Sequence, residues 1–242
     1  IAGGLAKLAL PIMGTSLIQM AYNLTDMIWI GRINSGAVAA VGAAGMYMWL
    51  SNGFSILARM GGQVNMAHSL GRGDQKAAAG FAQAALQLTI LFSLFVTLIS
   101  ILFTNPLLQF FALNDAETYN SARIYMRITC GLILFSFLSQ VLTGLFTAQG
   151  DSKTPLKANF FGLILNMILD PLLVLGVGPF PRLEVVGAAV ATVVSQAVSA
   201  IWVTKFLIGK NTKIKIKKEK NKMSEGAGSF PRLFKKFLSR QY

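Results

Sequence analysis

Two acids lie where an ionised side chain has little water. Asp170 falls inside the apolar stretch Leu156–Val177, and Asp26 lies toward the end of another, Leu5–Ile30. About 20 apolar residues suffice to cross a bilayer as a helix, and both stretches are that long. A carboxylate at the centre of such a span costs roughly 2.5–3.5 kcal/mol even on lenient insertion scales. Asn166 sits four residues before Asp170, so its amide shares a helix face with the carboxylate. Pro171 follows and removes a backbone donor, so the span is expected to break beside the acid. In the first stretch Gln19, Tyr22 and Asp26 fall on one helical stripe, with Asn23 next to it. Pro11, further back, can bend that helix.

Oxygen-bearing side chains held in lipid suit a small travelling cation. Two neighbouring carboxylates can share one proton. With the Asn166 carbonyl and a hydroxyl they would equally suit Na+, a hard cation that prefers oxygen. Thr192, in a later apolar stretch, can supply the hydroxyl; its other use is a bond to its own helix backbone. The bland alternatives are a structural hydrogen bond for the Asn166–Asp170 pair and simple interfacial solvation for Asp26.

The elements that hold these residues are membrane spans. The 242 residues are 54% hydrophobic and 13% charged, with mean hydropathy +0.57, whereas soluble domains carry about 25% charged residues. The expected fold is an all-α membrane protein, a six-helix bundle. Its spans cover about 5–30, 37–68, 77–103, 119–148, 155–177 and 186–208. The lone Cys130 reads as a small buried residue and His68 as an interfacial residue at a helix end, so neither a disulfide framework nor a metal cluster is expected. No cofactor is expected beyond a coupling ion.

Charge gives the orientation. The formal net charge is +13, and Lys205–Tyr242 holds twelve of the 22 basic residues. Arg72 and Lys76 lie in the second loop, and Lys153 and Lys157 in the fourth, on the side of the tail; the opposite loops hold Arg32, then Asp115 and Glu117, then Arg182 and Glu184. The positive-inside rule places the N-terminus and tail in the cytoplasm. Residues 1–209 form the membrane lobe. Residues 210–242 are a basic cytoplasmic segment, read as a flexible linker over Lys210–Lys222 and as an amphipathic interfacial stretch over Phe230–Tyr242. Its charge faces lipid headgroups, and no nucleic-acid-binding motif accompanies it. The two basic loops share a Gly-Asp pair, at Gly73-Asp74 and Gly150-Asp151; in the second, Thr154 is expected to cap the fifth span with Pro155 at its first position.

Together these stretches resemble a known family. Pro11 with Asp26, Ala39-Ala40-Val41-Gly42, Leu70-Gly71-Arg72-Gly73-Asp74 and Gln149-Gly150-Asp151 occur in order. Asn166 with Asp170, and Gly187-Ala188-Ala189-Val190-Ala191-Thr192, complete the series. The chain is similar to the N-terminal lobe of multidrug and toxic compound extrusion (MATE) transporters of the bacterial kind. The resemblance implies a two-lobed (6+6) protein of the bacterial inner membrane. Such a protein exports organic cations or amphipathic compounds by alternating access, in exchange for H+ or Na+. By position it implies a cation site at Asp26, Asn166, Asp170 and Thr192, with the Ala188 carbonyl nearby. It implies a substrate cavity touching Gln19, Tyr22 and Tyr125, and a helix-bending role for Pro11. The second lobe would be the chain's main partner, and the sequence reads as continuing into it beyond Tyr242 rather than pairing with a second copy.

Two other readings compete. A lipid-linked saccharide flippase of the same superfamily would need a wide, basic cavity, and the buried charges found here are acidic, which favours a cationic cargo. A non-transporting scaffold would have no need of Asp26 and Asp170 inside its spans. An enzyme is not expected, because no nucleophile stands with a base.

Overall fold

A computed structural model describes residues 2–113, 115–177 and 181–222, with side chains described for 9–113, 115–177 and 181–205. The described residues form helices and turns: α1 (Ala2–Ile30), α2 (Ser35–Gly71), α3 (Gln75–Leu102), α4 (Thr104–Gln109), α5 (Ala116–Gly131), α6 (Ile133–Ala148), α7 (Lys153–Val174) and α8 (Glu184–Lys222). Six long passes result when α5 and α6 are taken as one span bent by 45°. The bend at Leu132 departs from the single straight fourth span expected from sequence. No proline marks it; Gly131 stands just before it, and the polar α5 gives way there to the apolar α6, but neither signal separates a bend from a continuous span. The short helix α4 was also unforeseen, since six residues are too few to show a helical period. Its Leu108 is fully buried.

By length and apolarity α3, α7 and Glu184–Lys205 of α8 qualify as membrane spans, with α5–α6 as a fourth. Among the described residues α1 and α2, whose apolar runs are interrupted by polar side chains, do not qualify by the same measure. Outward faces are apolar, as lipid contact requires: Leu91, Leu94, Leu98 and Leu102 form an exposed stripe along α3. Inward faces carry small residues. Ala40 and Ala44 of α2, and Ala188, Ala189 and Ala191 of α8, are fully buried. Lipid supplies no hydrophobic force between helices, so close backbone approach and dense packing must hold them together. At Gly187 an added Cβ would lie 2.4 Å from the Leu173 carbonyl oxygen, which shows how tightly α8 crosses the end of α7.

The turns α2–α3 and α6–α7 have one geometry. Gly73 (φ +76°) and Gly150 (φ +77°) adopt the left-handed conformation. The next amides reach back five residues, Asp74 N–H to the Ser69 carbonyl at 2.9 Å and Asp151 N–H to the Phe146 carbonyl at 3.0 Å. These are Schellman closures, which satisfy carbonyls left open at a helix end. The same aspartates then start the next helix: Asp74 accepts from Ala77 N–H at 2.9 Å and Asp151 from Thr154 N–H at 3.1 Å. The N-cap position of α7 is Ser152, and the side chain that accepts from the first turn is that of Asp151, one residue earlier, not that of Thr154, which donates its hydroxyl to Asp151 at 2.9 Å. Lys153, not Pro155, is the first helical residue.

Pro171 does not break α7, which continues to Val174. A proline in the last turn costs one backbone bond but leaves the turn intact. α1 likewise runs through Pro11 without interruption. Contacts divide the chain into Ile1–Val203 and Thr204–Tyr242. Residues 210–222 continue α8 as helix where a flexible linker was expected, consistent with the good helix propensity of lysine and glutamate. The expected amphipathic stretch Phe230–Tyr242 lies outside the described residues.

Candidate functional site

α1 packs on α7, while α2 packs on α3, α5 and α6; α1 and α2 scarcely touch. A groove of about 730 Å³ opens between them, backed by α6, α7 and α8. The acid cluster stands near the end closed by the α1–α2 turn. Thr192 Oγ1 donates to Asp26 Oδ2 at 2.9 Å, joining α8 to α1. Asn166 Nδ2 donates to Asp170 Oδ1 at 3.3 Å, one turn apart on α7. The two carboxylates lie within hydrogen-bonding reach of each other. Four of the residues expected at a cation site thus meet across three helices.

Their exposure is graded. Asp26 and Thr192 form part of the groove wall, whereas Asn166 and Asp170 are 0% exposed behind them. From the groove, Asp26 is therefore reached before Asp170. Three buried oxygens remain without a hydrogen-bond partner, Asp26 Oδ1, Asn166 Oδ1 and Asp170 Oδ2, and the Tyr22 and Ser195 hydroxyls beside them lie within hydrogen-bonding reach of each other. Unsatisfied buried oxygens are costly, and here they come from helices that meet at one point. They are the donor set that a proton or a hard cation would satisfy.

The other expected residues divide. Tyr22 and Tyr125 are buried groove-wall residues, both within electrostatic range of Asp26 and Asp170. Gln19 lines the groove further along α1 and is exposed. Ala188 is fully buried in the apolar cluster with Ile30, Tyr125 and Val174; among the described contacts no hydrogen bond joins it to either acid. Pro11 is buried in α1 outside the groove lining, and Thr15 Oγ1 donates to its carbonyl at 2.9 Å.

Four residues take places in or beside the site that the sequence reading did not give them. Ser195 stands three residues after Thr192 on the same α8 face, and Ser199 continues that stripe, a spacing that could have flagged both. Gly162 permits the crossing of α7 and α8: an added Cβ would sit 2.1 Å from Ser199 Oγ and 3.0 Å from the Tyr22 hydroxyl. Arg59, within the span expected over 37–68, lines the groove. The expectation that the buried charges are all acidic is corrected by that placement. The groove has an acid near one end and an arginine further along.

The fold and the site define a polytopic helical membrane lobe with a buried acid cluster opening onto a polar groove. The chain belongs to the MatE family, whose model matches residues 11–172, and it is a member of a transporter family, not an enzyme family. It is 31% identical over 215 residues to a probable multidrug resistance protein NorM of Thermotoga maritima, covering 88% of this chain and 46% of that one. It is 29% identical over 195 residues to a FAD transporter of Shewanella oneidensis, covering 81% and 43%. A MATE family transporter solved in an outward-facing conformation superposes with a TM-score of 0.78 at 24% identity, covering 86% of this chain and 45% of that one. The chain thus spans about half the length of the relatives it matches, which is one lobe of such a transporter.

Proposed function

We propose that this chain is the cation-handling lobe of a two-lobed exporter, which moves amphipathic organic cations outward in exchange for an inward-moving cation. The observation that carries the reading is the contact between Asp26 and Asp170, one at the groove wall and one fully buried, with unsatisfied oxygens around both. A proton shared between the paired carboxylates is the coupling ion we favour, because two carboxylates in hydrogen-bond contact need a proton between them. Na+ is the second reading, favoured by the set of unpartnered oxygens from Asp26, Asn166 and Asp170 with Thr192 beside them. The relatives' names differ in cargo, so the cargo has to be read from the groove, where Asp26 and the flanking Tyr22 and Tyr125 offer a cation both charge and aromatic surface.

Coupling follows from competition. With the cation absent, Asp26 carries charge at the wall and attracts a cationic cargo; with the cation bound, that charge is cancelled and the cargo is released. Neither event needs a covalent step. The basic loops support an orientation with the N-terminus and the α2–α3 and α6–α7 turns on the cytoplasmic side of a bacterial inner membrane. The test is dye efflux by the complete protein in proteoliposomes under a pH gradient or a Na+ gradient. We expect the pH gradient to drive efflux, and Asp26→Asn and Asp170→Asn each to abolish it while the protein still inserts. Driven efflux unchanged in both variants would sink the proposal; drive by Na+ alone would select the second reading.

A further inference from the structure

The groove holds a second charged position, which the exporter mechanism above does not use. Arg59 projects from α2 into it. Val41 of α2 belongs to the same buried cluster as Ile30, one turn beyond Asp26, and from Val41 to Arg59 α2 rises about 27 Å at 1.5 Å per residue. The two charges therefore lie at separate levels of one cavity and do not pair. Among the described residues Arg59 has no ion-pair or hydrogen-bond partner, and its Nε is buried from solvent without one. The surroundings make room for the side chain. Gly144 of α6 lies under its stem, where an added Cβ would stand 2.6 Å from Arg59 Cγ. Gln63, one turn on, is in reach of the same glycine at 3.1 Å. Thr143 and Thr147 line the groove on the facing helix. Asp26 is the only acid among the groove-lining residues, so nothing within the groove neutralises the guanidinium locally.

A guanidinium presents a planar fork of donors that matches a carboxylate or a phosphate. Held in a low-dielectric groove without a counterion, it is stabilised by any anionic group that arrives. We propose that Arg59, with Gln63 beside it, is a subsite for the anionic group, carboxylate or phosphate, of an amphipathic ligand. This rests on the groove being the cargo cavity, and it widens the cargo class from cations to molecules that also carry an anion. The anion can belong to a soluble cargo or to a lipid headgroup entering the groove.

The test measures binding to the complete protein in phosphatidylcholine nanodiscs by fluorescence anisotropy. One probe is a rhodamine dye with a free carboxylate; the other is its ethyl ester, with the same rings and no anion. Arg59→Gln should weaken binding of the carboxylate dye roughly tenfold, the scale of a lost charge-assisted hydrogen bond, and leave the ester unchanged. Arg59→Lys, which keeps the charge but not the planar fork, should fall between wild type and Arg59→Gln in affinity for the carboxylate dye. Adding phosphatidylglycerol to the discs separates the sources: competition in wild type but not in Arg59→Gln assigns the subsite to headgroups, and lack of competition assigns it to soluble anions. Equal binding of the carboxylate dye to wild type and Arg59→Gln overturns the proposal. So does equal loss in the Gln and Lys variants, which would make Arg59 a packing residue. These readouts need no ion gradient, so their failure is distinct from failure of the coupling at Asp26 and Asp170.

Discussion

At the scale of single residues, the site depends on hydroxyls and glycines as much as on acids. Tyr22→Phe removes a buried hydroxyl within hydrogen-bonding reach of Ser195, so stability should fall by no more than about 1 kcal/mol. Gradient-driven efflux should nevertheless fall severalfold if that oxygen serves the travelling cation. A lower melting temperature with normal efflux would make the hydroxyl structural instead. Gly162→Ala should act in the opposite way. Its Cβ would meet Ser199 Oγ at 2.1 Å and the Ser195 carbonyl oxygen at 3.2 Å. Overpacking of that kind costs about 1–3 kcal/mol, readable as a lower melting temperature in detergent and partly restored by Ser199→Ala. The acids were legible in the sequence because a carboxylate inside an apolar run is a costly outlier. Ser195 and Gly162 were not, because serine and glycine are common in membrane helices and their meaning comes only from which helix they face. Arg59 was visible as a charge, but its inward direction depends on how α2 rotates against α6.

At the scale of elements, the paired Schellman turns carry the predictions. Gly73→Ala and Gly150→Ala each force a Cβ into the left-handed region, at about 1–2 kcal/mol, and thermal unfolding should show a loss at either position. A neutral result would contradict the φ values. At the start of α5, Asp115 accepts from the Thr118 amide at 2.9 Å and from its hydroxyl at 2.7 Å. Those bonds hold its carboxyl below the usual aspartate value. The cap's contribution is therefore present above about pH 4, the unfolded value, and is lost as pH falls through the lowered native value. The Thr118 amide chemical shift should follow this titration with a midpoint below 3.9, and a midpoint at or above it would remove the cap. The caps illustrate what sequence could and could not give. Gly-Asp signalled both turns, yet Asp151 and Thr154 are each good capping types, and only the backbone path decides between them. The bend at Leu132 and the helix α4 left no periodic trace at all.

At the scale of the whole molecule, the order and number of the passes were legible because long apolar runs are the strongest signal a sequence contains. The groove was not, since it is defined by a pair of helices that fail to meet. Orientation can be tested with single cysteines, because Cys130 is buried and should stay silent. An impermeant maleimide added to intact cells should label Glu117→Cys and spare Lys153→Cys; the reverse pattern would invert the topology. The scarcity of contact between α1 and α2 has a further effect. The apolar cluster of Ile30, Ala40, Tyr125, Val174 and Ala188 ties the helices together near the α1–α2 turn, like the spine of a book whose leaves are α1 with α7 and α2 with α6. Spreading the leaves breaks few contacts between α1 and α2, so the width of the groove is set by how far the covers open and not by a fixed mould.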